Sequence, residues 1–228
     1  MIDKVFFNEN KFLVTGSSGF IGTNLINRLK ALDVQVLGID KKEPIISNSD
    51  EHANCDLNDY HTLQKIIKDY QPTIIIHLAA RTDLDGTCLA DYKDNTEAVE
   101  NLCKAIIEGG SCQKVLFASS MLVCVAGYVP KNRTDYCPST IYGESKVITE
   151  NIINSYAEKL PSHTIFRPTS IWGTYFKEPY RNFFDMVLAQ RFIRIGSCSA
   201  KKTYGYVENS CNQILSLSSH EDSKDVYY

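Results

Sequence analysis

The chain predicts an α/β fold, a doubly wound and mostly parallel sheet with helices on both faces. Three observations point there. Apolar strand-like runs alternate with helix-patterned segments along the 228 residues. The run from Thr73 to Leu78 is apolar almost throughout, as strands covered on both faces are. And Thr15-Gly16-Ser17-Ser18-Gly19-Phe20-Ile21-Gly22 follows apolar Phe12-Leu13-Val14 and opens the patterned segment Leu25-Ile26-x-x-Leu29. That order is strand, glycine turn, helix.

Taken in order, strands are expected near 11–15, 34–39, 52–55, 73–78, 114–118 and 163–167, and helices near 20–32, 59–70, 90–109, 141–159 and 180–190. The longest helix is amphipathic through Ala98, Leu102, Ala105 and Ile106. No internal repeat or low-complexity tract interrupts the pattern.

In the first glycine turn, Gly16 allows the tight turn, Gly19 lets the backbone approach a pyrophosphate, and Gly22 lets the helix pack close to the strand. Free N–H groups and the positive end of the helix dipole favour an anion there without a basic side chain. A dinucleotide is the first hypothesis. The second strand ends in Asp40, where a carboxylate can accept hydrogen bonds from an adenosine ribose and repel a 2′-phosphate. This favours NAD over NADP, although Lys41 and Lys42 can soften the discrimination, and a plain charged turn is the competing reading.

Composition narrows the function classes. A net charge of −3 with dispersed basic residues gives no reason to expect a nucleic acid or an anionic membrane surface. Met1 to Asn8 lacks the apolar core and cleavage site of a signal peptide and no stretch approaches a membrane span, so a cytoplasmic protein is expected. The eight cysteines include no Cys-x-x-Cys pair and no nearby histidine pair, so free thiols and no metal site are expected. His77, inside the apolar run Ile74 to Ala80, reads as a structural histidine hydrogen-bonded at a strand end near the cofactor. Arg191 and Arg194 are either phosphate contacts or a solvated helix end.

A second constellation is Ile141-Tyr142-Gly143-Glu144-Ser145-Lys146, where tyrosine and lysine stand four residues apart at the start of a helix and share one face. A tyrosine that acts as a base near neutral pH needs its pKa lowered by about 3 units, about 4 kcal/mol. A nearby ammonium and the positive charge of an oxidised nicotinamide can supply this. On its own, Tyr-x-x-x-Lys usually marks a solvated helix face. The third element is Val115 to Ser120, a strand ending in hydroxyls where open α/β sheets bind substrates. Ser120 is the candidate proton partner, and Ser119 reads better as a cap of the turn.

Together these residues resemble the extended short-chain dehydrogenase/reductase family, in its NAD-dependent nucleotide-sugar epimerase/dehydratase branch, over about residues 11–210. The matching pieces are Gly16, Gly19 and Gly22, Asp40, Asp56-Leu57, His77-Leu78-Ala79-Ala80, Asn95, Ser120, Tyr142-Gly-x-Ser-Lys146, and Arg167-Pro168 followed by Trp172-Gly173. The resemblance implies a Rossmann-type NAD-binding domain over 1–173 and a partial substrate-binding region over 174–228. It implies cofactor contacts from Gly16, Ser18, Gly19, Phe20, Ile21, Gly22 and Asp40, and adenine contacts from Asp56 and Leu57. Leu78, Ala79 and Ala80 would line the pyrophosphate and ribose path, Asn95 would support the cofactor side, and Lys146 would hold the nicotinamide ribose beside Tyr142. Tyr142 would take a proton from a sugar hydroxyl while hydride leaves that carbon for NAD, and Ser120 would bond the same oxygen. A nucleotide-sugar substrate and a homodimer built from the helices near 90–109 and 141–159 are also implied.

Two departures shape the expected reaction. Val123-Cys124-Val125 stands where the family often has Val-Tyr-Gly, and Met121-Leu122 stands where dehydratases carry an Asp-Glu pair. Elimination of water lacks its acid and base, so an epimerase is expected, with a keto-sugar reductase using NAD(P)H or a non-catalytic dinucleotide-binding protein as alternatives. Family members normally continue well beyond Lys202 to Asn209, whereas this chain stops at Tyr228, so a shortened C-terminal lobe is expected. Val226-Tyr227-Tyr228 reads as a strand cut short.

Overall fold

A computed structural model describes residues 4–46, 51–177, 180–193, 203–220 and 226–227. Strands β1 (Phe12–Thr15), β2 (Val36–Asp40), β3 (His52–Asn54), β4 (Ile74–His77), β5 (Lys114–Ala118), β6 (Ser162–Phe166) and β9 (Val226–Tyr227) form one sheet in the order β3-β2-β1-β4-β5-β6-β9. Every neighbouring pair is parallel, with Phe12 opposite both Val36 and Ile74. The order reverses between β1 and β4, which opens a crevice at their carboxyl ends. A separate parallel pair joins β7 (Ser170–Trp172) to β8 (Tyr204–Tyr206).

Successive residues of a strand point to opposite faces, and the two cores divide accordingly. Leu13, Ile39, Ile75, Val115, Phe117 and Ile165 pack on one face against Leu63 and Ile67 of α3 (Tyr60–Tyr70), Val99, Leu102 and Ile106 of α4 (Glu97–Gly109), and Ile153 of α5 (Ile141–Ser155). Phe12, Val14, Val36, Ile74, Ile76, Leu116 and Phe166 pack on the other, against Phe7 of α1 (Lys4–Glu9), Leu25 and Leu29 of α2 (Phe20–Ala31), and Val207, Cys211, Ile214 and Leu215 of α7 (Val207–Ser219). The strands carry apolar side chains on both faces because helices cover both.

The structure corrects the expected elements in three places. The helix expected over 90–109 is two: a 3-10 segment, Leu89–Asn95, and then α4, separated at Thr96 with φ −122° and ψ −78°. The break follows from Asn95, whose side chain bonds the Arg81 backbone and the Ser145 hydroxyl and so holds that turn off the line of α4. The helix expected to reach 159 ends at Ser155, and turns lead from there to Pro161, which disfavours helix in the residue before it. α7 was not anticipated, and with β9 it packs part of the 174–228 region against the sheet. Helix α6 (Tyr180–Leu188) matches its expected position.

Candidate active site

The glycine turn is built by close approach. Gly16 has φ +71°, and a Cβ there would lie 2.6 Å from the Ala79 nitrogen. A Cβ on Gly22 would collide with the Gly16 carbonyl oxygen, so only glycine lets α2 start this near β1. Gly19 is the N-cap of α2 and has no side-chain cap, which leaves first-turn N–H groups open at the sheet's carboxyl end. Phe20 and Ile21 are half-buried beside it. These features fit a dinucleotide's pyrophosphate.

Asp40 ends β2 next to that turn. Its Oδ2 accepts from the Ser18 N–H at 3.0 Å and its Oδ1 from the Lys42 N–H at 2.9 Å. Lys41, one of the two lysines that could have admitted a 2′-phosphate, is engaged with Asp94 at 2.6 Å, and that hydrogen bond holds its ammonium above the usual lysine range. Asp94 also accepts from Asn58, whose backbone and side-chain nitrogens donate to Asp56 Oδ1 at 2.9 and 2.8 Å. Burial pushes the Asp56 carboxyl up, but these two bonds and the Lys41 charge outweigh it and leave it below the usual carboxylate range. Leu57 is packed in the core.

Beyond β4, Leu78, Ala79 and Ala80 are half-buried and pass directly over Gly16. The Ala79 N–H donates to Thr15 Oγ1 at 3.3 Å, and the same oxygen lies 2.8 Å from His77 Nδ1. His77 is therefore hydrogen-bonded at its strand end, as the sequence predicted. Asn95 Oδ1 accepts from the Arg81 N–H at 2.8 Å, and Asn95 Nδ2 donates to Ser145 Oγ at 2.9 Å. One side chain thus ties the loop after β4 to α5.

Burial pushes the His77 imidazole down to about 3, and the Lys146 charge acts in the same direction. In the unfolded chain it titrates near 6.5, so as pH falls the unfolded state binds the proton first. Stability that is present above pH 6.5 is lost as pH falls toward 3, with an upper bound of about 4–5 kcal/mol. Urea unfolding of the wild type and of His77→Gln between pH 7 and 4 checks this: the variant's stability should fall less steeply by up to one proton. Equal slopes would refute it.

Ser120, Tyr142 and Lys146 come together beyond the carboxyl end of β5. Ser120 caps a 3-10 turn, Met121–Val123, by accepting the Leu122 N–H at 3.1 Å, and its hydroxyl acts to lower the pKa of the Tyr142 phenol. Thr140 caps α5 by accepting the Gly143 N–H at 3.0 Å, and a Cβ on Gly143 would strike the Leu122 carbonyl oxygen. The small residue between Tyr142 and Lys146 is what brings α5 against the Ser120 turn. Lys146 Nζ donates to the Ala118 carbonyl at 3.0 Å and is buried.

The electrostatics differ from the sequence expectation. Burial holds the Tyr142 phenol above its ordinary value, against the Ser120 hydroxyl, and Lys146 is not among the groups that move it. Burial brings Lys146 down to about 8 while Glu150 raises it, so the ammonium is charged at neutral pH. Desolvation is the largest influence on both side chains, and an attraction between the two contributes to neither shift.

Sequence reasoning missed the group behind this trio. Glu150, one turn after Lys146, forms a fully buried pair with Arg167: Nε donates to Oε1 at 2.8 Å and Nη2 to Oε2 at 2.7 Å. Ser119 donates to Oε1 at 2.5 Å, so this serine anchors to a carboxylate in place of capping its turn, and the Tyr136 hydroxyl donates to Oε2 at 2.9 Å. Arg167 also donates to the Arg133 carbonyl at 2.6 Å. The i, i+4 spacing of Lys146 and Glu150 was the available signal. Arg191 is exposed, and Arg194, Cys198 and Tyr228 lie outside the described residues. No described helix is long and apolar enough to cross a membrane.

Comparison with known proteins bears on the family and the fold. Over 206 residues the chain is 26% identical to N-acetyl-alpha-D-glucosaminyl-diphospho-ditrans,octacis-undecaprenol 4-epimerase of Escherichia coli O157:H7, covering 89% of this chain and 61% of the relative. Over 226 residues it is 26% identical to 3-beta-hydroxysteroid dehydrogenase of Mycolicibacterium neoaurum, covering 92% and 61%. The chain thus spans about three-fifths of the length of these curated relatives. The crystal structure of Thermus thermophilus UDP-glucose 4-epimerase in complex with NAD superposes with a TM-score of 0.80 at 20% identity, over 96% of this chain and 76% of that one, which shows a shared fold. Residues 12–227 match the profile of the NAD dependent epimerase/dehydratase family, nearly the whole chain from β1 to β9, and the chain belongs to that family.

Proposed function

We propose that the chain is an NAD-dependent nucleotide-sugar epimerase, which oxidises a sugar hydroxyl and re-reduces the keto intermediate on its other face. The observation that carries this is that Ser120 and Lys146, which bonds the Ala118 carbonyl, lie at the carboxyl end of β5, separated by β4 from the β1 end that opens the glycine turn, with Tyr142 one turn before Lys146 on α5. Gly16, Ser18, Gly19, Phe20, Ile21 and Gly22 would hold the pyrophosphate and Asp40 the adenosine ribose. Asp56 and Leu57 would border the adenine, Leu78, Ala79 and Ala80 the path between, and Asn95 the supporting wall. NAD, when bound, supplies the hydride acceptor and donor. Tyr142 takes the sugar hydroxyl's proton, and Ser120 holds the same oxygen. Lys146 supplies positive charge and a ribose contact. The charge of oxidised nicotinamide would favour the phenolate that burial opposes.

Epimerisation is favoured over elimination because Met121 and Leu122, both exposed, put no carboxylate after Ser120. Similarity to a steroid dehydrogenase favours a second reading, a reductase of the same fold using NAD(P)H. A homodimer through α4 and α5 and a cytoplasmic location complete the proposal. Its test is incubation of the 228-residue chain with UDP-, GDP- and dTDP-sugars, with and without NAD. Products and the absorbance of reduced cofactor are followed together. An epimerised sugar without net NADH is the expected result. Net NADH formation with a keto sugar as product would establish the reductase, running in reverse, a 4-keto-6-deoxy product would overturn the exclusion of dehydration, and NAD binding without any turnover would leave a non-catalytic protein.

A further inference from the structure

Cys124 stands in the segment where the family often has tyrosine, and its partner across an isolated parallel bridge is Cys137. The bridge is made by the Cys137 N–H donating to the Val123 carbonyl at 3.0 Å and the Val125 N–H donating to the Cys137 carbonyl at 2.7 Å. Partners across such a bridge have Cα atoms about 4.8 Å apart and side chains on the same face. That separation lies inside the range of about 4.4–6.8 Å that a disulfide spans without backbone movement. Tyr128 is held above its ordinary value chiefly by its hydrogen bond to Asp135, and Cys137 and Cys124 both add to the rise.

We propose that Cys124 and Cys137 are a dithiol that closes to an intramolecular disulfide on exchange with a low-molecular-weight disulfide. One cysteine thiolate attacks a sulfur of the small disulfide, forming a mixed disulfide and releasing one small thiolate. The second protein thiolate attacks the protein sulfur of that intermediate and releases the other. Two protein thiols are oxidised, the reagent is reduced to two thiols, and the protons end on the products. Access separates this pair from much of the chain's cysteine: Cys124 and Cys137 are half-buried, whereas Cys55, Cys103 and Cys211 are buried. The bond would join the turn that Ser120 caps to the segment entering α5 just before Tyr142, and it would close the exposed loop between them. The proposal does not rest on the proposed activity.

The test is oxidised glutathione added to the folded full-length chain, followed by alkylation and tryptic mapping without reductant. Lys131 and Arg133 lie between the two cysteines, so trypsin separates their peptides unless a disulfide joins them. The expected result is a linked Cys124–Cys137 peptide in the wild type, lost in both Cys124→Ser and Cys137→Ser. In each variant the remaining partner should carry glutathione, since nothing resolves the mixed disulfide. Thermal unfolding under reducing conditions, matched to the wild type, shows that the variants fold. Overturning results are glutathione retained separately on both residues of the wild type, pairing of either with Cys88, or no reaction at either while Cys88 is modified.

Discussion

Tyr142→Phe is expected to lower epimerase turnover by about 10²–10⁴-fold, the usual worth of a positioned acid–base group, while NAD affinity changes little. The substitution removes one oxygen. The ring keeps its place against Tyr92, whose centroid lies 6.1 Å away, and Lys146 keeps its bond to the Ala118 carbonyl. Ser120 still accepts the Leu122 N–H, so the turn beneath the site stands. In energy the loss is about 3–5 kcal/mol, all of it at the step where the sugar's proton must leave. Turnover of the purified variant with the best nucleotide sugar, alongside a cofactor titration, separates chemistry from binding. Unchanged turnover would mean that Tyr142 is no base. Because the phenol starts above its ordinary value, the wild type should also show a rate that rises with pH on the acid side.

The order of the sheet was legible because each central strand is a short apolar run and each crossover helix carries an apolar stripe, so strand and helix periods separate cleanly. The trio was legible for a related reason: Ser120 ends a strand, and Tyr142 and Lys146 share a helix face. What stayed hidden depends on contacts distant in sequence. α7 hides its apolar stripe, Val207, Cys211, Ile214 and Leu215, among serines that read as loop, and two of them, Ser210 and Ser218, are in fact buried. The break at Thr96 follows from Asn95 bonding to Arg81 and Ser145, which no local pattern announces. The Tyr142 expectation relied on an attraction from Lys146 that does not enter the phenol's balance and weighed desolvation too lightly, since both members of the pair are buried. Glu150 shows the same limit: a glutamate on a helix reads as solvated until the arginine that buries it is seen.

Arg167→Met should be the most damaging substitution for stability, at about 3–5 kcal/mol, because it strands the buried Glu150 carboxylate without its guanidinium. Both side chains are 1% exposed, and the pair is bidentate. Ser119 and Tyr136 would remain as neutral donors to the carboxylate, and Lys146, whose Nζ donates to the Ala118 carbonyl, as a charge without a hydrogen bond to it, together less than the lost bidentate guanidinium. The double variant Glu150→Leu/Arg167→Met removes both charges and should recover a large part of the loss, since an apolar replacement of a buried pair is often close to neutral. Denaturant unfolding of the two single variants and the double forms the cycle. If Arg167→Met costs under about 1 kcal/mol, as exposed pairs do, the pair is solvated and the buried account fails. If the double variant regains stability without regaining turnover, the pair serves the site as well as the fold. Arg167 holds the Arg133 carbonyl and Glu150 holds Ser119 next to Ser120, so the loss should then appear in the positions of the hydroxyl and of the substrate-side loop.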